Sequence, residues 1–480
     1  MVKVHARPGR LRSFLILGVL LVLSVSATDL AAAEASVANL WVSRYDGPAS
    51  GVDVAHHLAV GPGGSRVYAT GESRGSVSGL DYATVAYDAT TGDEVWAQRY
   101  DGPKGVADVA NAVAVSPDGS TVFVTGGSKA NRIGWDYATV AYDAATGAQQ
   151  WVARFDGVGH EADRARALGV SPDGSTVFVT GSSTGRTNDG EYATVAYDAA
   201  TGAQLWARRY QGSVDVGDFS GASDLGVSPD GSAVFVTGRD ETSFVDEEYA
   251  TVAYDATTGA RLWVARYSGA EGTNYATALG VSPDGSAVFV TGTSHAGSGA
   301  NNYATVAYDA ATGAERWVAR YAGPPGGSDH AAAIGVSPDG SAVFVTGDSV
   351  GSTGFDFATL AYDAATGARL WVQRYDGPAS GNDIATALGV SHDGSTVFVT
   401  GQSKAPSPDF DADYATLAYD ATTGAKVWAK RYHGHPDPVG EHSIPSALGV
   451  SPDGSAVFVT GTNAGSTTDA DYATVAYGPA

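Results

Sequence analysis

The segment VFVTG starts at residues 122, 177, 234, 288, 343, 397 and 457, and a variant, VYATG, starts at 67. A second segment, YATVAYD, starts at 82, 137, 192, 249 and 303, with variants from 357, 414 and 472. A tryptophan follows most copies: Trp96, Trp151, Trp206, Trp263, Trp317, Trp371 and Trp428. Trp41 is an eighth, with no copy before it. The spacing from Trp41 to Trp428 averages about 55 residues, which suits a unit of four short strands and is long for a leucine-rich or ankyrin unit.

Within the unit 108–155, strand A is expected at 108–116, B at 120–126, C at 137–143 and D at 149–155. The turn Ser116-Pro117-Asp118-Gly119 joins A to B, and 143–147 joins C to D. Pro presets φ, and Asp-Gly supplies the positive φ of a tight hairpin. Along strand C, Tyr137, Thr139 and Ala141 face one way and Ala138, Val140 and Tyr142 the other. Both faces are small or apolar, as in a sheet covered on both sides. No window carries a sustained 3.6-residue apolar period, so helices should be scarce. The repeat array opens with a lone strand D at 40–45 and closes with a strand C at 472–477. In a linear array these would be open edges. In a ring they complete each other. The expected fold is therefore all-β: an eight-bladed β-propeller of four-stranded blades in one domain, 36–480, closed by an N-terminal strand D pairing with C-terminal strands A–C.

The stretch 86–96 has the form A-x-D-x-x-T-G-x-x-x-W. It resembles the tryptophan-docking motif of quinoprotein-type, PQQ-like eight-bladed propellers. Six further copies carry Asp143, Asp198, Asp255, Asp309, Asp363 and Asp420 at the same place. The wider unit also resembles propeller repeats of bacterial secreted and cell-surface proteins, over about residues 40–477. The resemblance implies a fold and no single chemistry. Its enzymes stack pyrroloquinoline quinone on a Trp and often on a disulfide between adjacent cysteines, and hold Ca²⁺ through Glu, Asn and Asp. This chain has no Cys and no long insertion, and Trp135 alone among its tryptophans lies outside the repeat. No residue set takes over the catalytic roles. The expectation is a binding or scaffold module without a cofactor; a quinone-dependent oxidoreductase using PQQ with calcium, or a surface adhesion protein, is the alternative.

Lys3, Arg7, Arg10 and Arg12 precede an apolar run over 14–25, and small residues follow at 25–27 and 31–33. That order predicts a signal peptide over 1–33 and a secreted, extracytoplasmic protein. The run is too short to span a membrane comfortably. With 28 basic and 52 acidic residues the net charge is −24, which repels phosphate backbones and argues against nucleic acid. The expected partner is a protein, glycan or small molecule, bound by a monomer. No H-E-x-x-H or P-loop pattern is present.

The A–B and C–D turns hardly vary and lie at one rim, while the D–A and B–C loops at the other rim differ in every unit. A binding surface is expected on the variable rim and at the channel mouth. Asp53, Asp108, Asp163, Asp329 and Asp383 open strand A there, and Trp135 sits in a B–C loop. His56 and His57 replace small residues in the first strand A, and one of them, His57 in this reading, faces the channel. Each strand D ends in Arg, expected to pair with a rim carboxylate and tie strands together; Arg320 would meet one such as Asp329. His433, His435 and His442 share one D–A loop, but their spacing matches no metal-site pattern, and no metal is expected.

Overall fold

The repeated pair VFVTG and YATVAYD forms the centre of each sheet because both segments are β-branched, aromatic or small throughout. In the second blade Val122 lies opposite Tyr142, Val124 opposite Val140 and Thr125 opposite Thr139. The facing threonines share a hydrogen bond of 2.9 Å and are fully buried. The glycine closing VFVTG has a steric reason. Strand A bulges at Ala110/Ala112, and a Cβ on Gly126 would come within 2.8 Å of the Ala110 Cα.

The computed structural model describes residues 1–2, 37–49, 51–129, 134–185, 190–212, 220–243, 246–269, 272–297, 299–324, 327–405, 412–434, 443–464 and 470–479. Its contacts divide the chain into two units, 1–35 and 36–480. Of the first, Met1 and Val2 are described and exposed, so the signal peptide read at 1–33 otherwise lies outside the described residues. Among the described residues, no helix is long and apolar enough to cross a membrane. The described residues of the second unit form 32 strands, β1 to β32, in eight four-stranded antiparallel sheets. Successive sheets pack through their A strands, and β30 (Ile444–Val450) packs on β2 (Asp53–Val60) to close the ring. The eighth sheet has the order β1-β32-β31-β30. Its strand D is β1 (Val37–Tyr45), paired with β32 (Ala470–Pro479) from Val37↔Pro479 to Tyr45↔Tyr472. This is the eight-bladed propeller that the end strands imply.

Strands B and C run further toward the variable rim than their apolar cores predict. In the second blade B extends to Lys129 and C begins at Trp135, so Trp135 is a strand residue and not a loop residue. Polar residues there pair across the hairpin, Ser128 with Asp136 and Lys129 with Trp135.

Neighbouring blades are tied at three levels. At the constant rim the indole N–H of seven docking tryptophans, Trp41 to Trp371, donates to a turn carbonyl of the next blade, as Trp96 does to Ala144 at 3.0 Å and Trp263 to Ala310 at 2.9 Å. Midway, the first Tyr of strand C donates to the next strand C, as Tyr303 does to the Ala358 carbonyl at 3.2 Å. At the variable rim the strand D Arg donates to a strand D Tyr of the preceding blade, as Arg154 does to Tyr100 at 2.9 Å. The sixth blade lacks the middle tie because Phe357 stands at the Tyr position. Phe357→Tyr should therefore stabilise the ring by ~0.5–1.5 kcal/mol, and Tyr303→Phe should cost a similar amount. Denaturant melts of both variants check this; a destabilised Phe357→Tyr would show that the site has no room for the hydroxyl.

Candidate functional site

The arginine ladder holds the variable rim. Arg99 meets Asp81 at 2.8 Å, Arg154 meets Asp136 at 2.8 Å, Arg209 meets Glu191 at 2.6 Å, Arg374 meets Asp356 at 2.7 Å and Arg431 meets Asp413 at 2.6 Å. Each of these carboxylates precedes the strand C aromatic, so the pair ties strand D to strand C. Arg266 instead meets Asp240 of strand B at 2.9 Å. Arg320 does not meet Asp329, because it turns to the Tyr267 hydroxyl at 3.0 Å, Ser294 at 2.9 Å and the His295 carbonyl at 2.9 Å. Arg154→Ala leaves a buried carboxylate without its counter-charge and should cost ~2–4 kcal/mol, whereas Arg320→Ala strands no acid and should cost ~1–2 kcal/mol. Equal losses in thermal melts would remove the ion pair as the reason for the ladder.

The strand A aspartates are buried at the same rim: Asp53, Asp108, Asp163, Asp329 and Asp383 are each at most 1% exposed. Each takes the N–H of a glycine in the preceding loop: Gly47 at 2.7 Å, Gly102 at 2.8 Å, Gly157 at 2.6 Å, Gly323 at 2.8 Å and Gly377 at 2.7 Å. The loop glycine is required by close approach, since a Cβ on Gly102 would lie 2.6 Å from Asp108 Oδ1. Burial raises the pKa of Asp53, Asp108, Asp163 and Asp383, and hydrogen bonds from a strand B serine and the loop glycine hold that rise in check.

The channel is lined by the A strands, each of which carries a bulge against its strand B. His57 lies just after the bulge of the first blade, open to channel solvent, where its Nδ1 accepts from Val113 N of the next blade at 3.4 Å. Enclosure by the ring lowers its pKa. Asp224 occupies the same register in the fourth blade and accepts from Leu279 N of the next blade and from its neighbour Leu225 N, each at 2.8 Å. Sequence reading missed Asp224, although it breaks the same small-residue position as His57. Burial raises its pKa to about 6. The folded chain thus holds this proton more tightly than the unfolded chain. The resulting stability is fully present below the ordinary Asp pKa of 3.8 and is lost as pH rises through about 6. The loss is at most about 3 kcal/mol, less what channel water relieves. Asp224→Asn should flatten the fall in melting temperature between pH 4 and pH 7; an unchanged slope would place the proton elsewhere.

Trp135 lies half-buried where its backbone pairs with the next D–A loop, receiving Asp163 N at 2.6 Å. Gly127 leaves room for the ring, since a Cβ there would come within 2.9 Å of it. Arg164 stacks over the indole at 4.8 Å and Lys129 at 5.5 Å. Arg164 also lines a cavity of about 640 Å³ with Arg166, Arg239, Ser182, Ser223 and Tyr275. A second cavity of about 370 Å³ shares Arg166, Ser223 and Tyr275 and carries this space along the channel wall to Asn111 and Thr277. Arg239 also meets Glu247 at 3.0 Å. The cavities at the opposite rim, of about 620, 550 and 370 Å³, are one groove between successive A–B turns repeated in different blades, so their origin is architectural. His433 pairs with Asp413 at 2.7 Å. His435 and His442 lie outside the described residues.

A family model described as outer membrane protein assembly factor BamB matches residues 81–333, 136–430 and 304–470. The chain belongs to the PQQ-like β-propeller family. No curated protein is similar enough in sequence to match. Among solved structures, Sqt1 from Chaetomium thermophilum bound to the N-terminus of the ribosomal protein L10 is similar at 14% identity, with 92% of this chain and 100% of that chain covered and a TM-score of 0.58. Quinohemoprotein alcohol dehydrogenase from Comamonas testosteroni is similar at 15% identity, with 92% and 76% covered and a TM-score of 0.54. A europium-containing methanol dehydrogenase is similar at 14% identity, with 92% and 93% covered and a TM-score of 0.52. At these identities the likeness is one of fold.

The residues at the channel do not fit the quinone group. A quinone enzyme needs a carboxylate and amide set beside a free indole. Asp224 spends both carboxylate oxygens on backbone N–H groups. The docking indoles bond to turn carbonyls at the far rim, and Trp135 is covered by cations. No reaction step through a quinone is derived.

Proposed function

We propose that this protein is an extracytoplasmic binding scaffold whose variable rim takes an acidic segment of a protein partner. The observation that carries the reading is the gathering of Arg164, Arg166 and Arg239 around one rim cavity, with Arg164 and Lys129 stacked on the adjoining Trp135, in a chain of net charge −24. Cations concentrated against an acidic background steer anions and suppress basic partners. An arginine stacked on an indole keeps its guanidinium edge free for a carboxylate fork. The described assembly role of the family supports a protein partner over a small substrate.

The test is the anisotropy of a fluorescent polyglutamate peptide with the purified mature chain. Wild type should bind at low salt and release by about 0.5 M salt as screening shortens to a few ångström. Arg164→Ala with Arg166→Ala should weaken binding at least about tenfold, from two lost charge-assisted contacts. Unchanged affinity in the double variant, or equal binding of polylysine, would remove the reading.

A further inference from the structure

Four of the eight blade junctions gather three aspartates each: Asp46, Asp53 and Asp471; Asp81, Asp101 and Asp108; Asp136, Asp156 and Asp163; Asp356, Asp376 and Asp383. In every cluster one carboxylate oxygen per residue lies within 4.8 Å of the other two. The sets are built alike. One residue comes from strand C, one opens the D–A loop, and one opens strand A of the next blade. At the remaining junctions the same positions read Glu191, Gln211, Ser220; Glu248, Ser268, Asn274; Asn302, Ala322, Asp329; and Asp413, His433, Ser443. The loop position is acidic only where both of its partners are aspartate. A requirement for turn geometry alone would not couple three positions that lie far apart in sequence.

Charge gives the reason for the coupling. Asp81, Asp136 and Asp356 each have one guanidinium partner, which leaves two further carboxylates in each of those clusters. Where the loop aspartate is replaced by His433, the imidazole meets Asp413 at 2.7 Å, so a hydrogen-bonding ring stands where the clusters have a further carboxylate. A second, independent observation comes from single atoms. Oδ1 of Asp81 and Oδ1 of Asp356 are buried with no hydrogen-bond partner, although Oδ2 of each is held by its arginine. These residues are 3% and 7% exposed. A buried anionic oxygen without a donor is costly unless a cation faces it.

We propose that these junctions are Ca²⁺ sites, foremost Asp81–Asp101–Asp108 and Asp356–Asp376–Asp383, at which one ion joins consecutive blades. Ca²⁺ takes oxygen ligands at about 2.3–2.6 Å, so two of its ligands stand no more than about 5 Å apart, a limit these clusters meet. All donors are hard carboxylate oxygens, which disfavours Zn²⁺. Mg²⁺ demands a regular octahedron and gives up water reluctantly, so an all-protein carboxylate cluster suits it less. The Asp136 cluster is the weaker one, because His160 already holds Asp156 at 2.7 Å. The inference stands on the blade junctions and is independent of the basic cavity.

The test uses the full mature chain stripped with EGTA. Equilibrium dialysis measures bound Ca²⁺, and thermal melts are run with Ca²⁺, with Mg²⁺ and with NaCl of matched ionic strength. Asp101→Asn and Asp376→Asn change exposed loop residues, so both variants should fold. Each should lower bound Ca²⁺ by one per chain, the pair by two, and each should shrink the Ca²⁺-dependent rise in melting temperature. No bound Ca²⁺ in wild type overturns the proposal, as does unchanged stoichiometry in both variants. An equal rise with Mg²⁺ or NaCl would mean charge screening alone and would overturn it as well.

Discussion

Seven of the eight docking indoles, Trp41 to Trp371, rest on a glycine of the next blade, and the rest of the architecture depends on that contact. The glycine of every Thr-Gly turn has φ between about +66° and +77°, a region open to few other residues. The same glycine lies under the neighbouring indole, where a Cβ on Gly202 or Gly259 would stand 2.6 Å from the ring of Trp151 or Trp206. One missing side chain thus sets both the turn and the distance between blades. The indole then buries its face against the next sheet while its N–H satisfies a turn carbonyl, so packing and polar satisfaction come from one group. The contact repeats at seven of the eight junctions and so sets the spacing of the blades around the ring.

The fold was legible for the same reason. Turn glycines, docking tryptophans and threonine pairs answer to local geometry, and local geometry repeats with the sequence. The lone β1 and the unpartnered β32 named the closure without any long-range information. The rim was less legible. Strands B and C continue past their apolar residues because hairpin pairing costs little once the register is set, and alternation alone did not carry Trp135 into strand C. The arginine ladder was readable as a pattern, but the partner of each Arg was not. Asn302 stands in strand C where Arg99, Arg154, Arg209, Arg374 and Arg431 find an acid, and Arg320 turns to a tyrosine, a serine and a carbonyl. Asp224 escaped notice because a single acid in a strand of small residues hardly stands out, whereas two adjacent histidines do.

Departures from the repeat concentrate where the architecture is indifferent to them. The constant rim carries the same turns in nearly every blade, since a change there would disturb an indole dock. The variable rim carries Trp135, the basic cavity and the uneven distribution of aspartates among otherwise equivalent junctions. Equivalent positions with unequal chemistry are what allows a pseudo-symmetric ring to present one particular face to a partner.

The pairing of β1 with β32 gives the chain an unusual relation to its own synthesis. Val37 emerges from the ribosome about 440 residues before Pro479, its partner in the sheet. At about 5–20 residues per second that interval lasts roughly 20–90 s. Throughout it, the first strand is an apolar ribbon with a free edge and no permitted mate in its own molecule, while the blades between are already able to form. The pairing of β1 with β32 therefore waits until the chain has been made almost to its last strand.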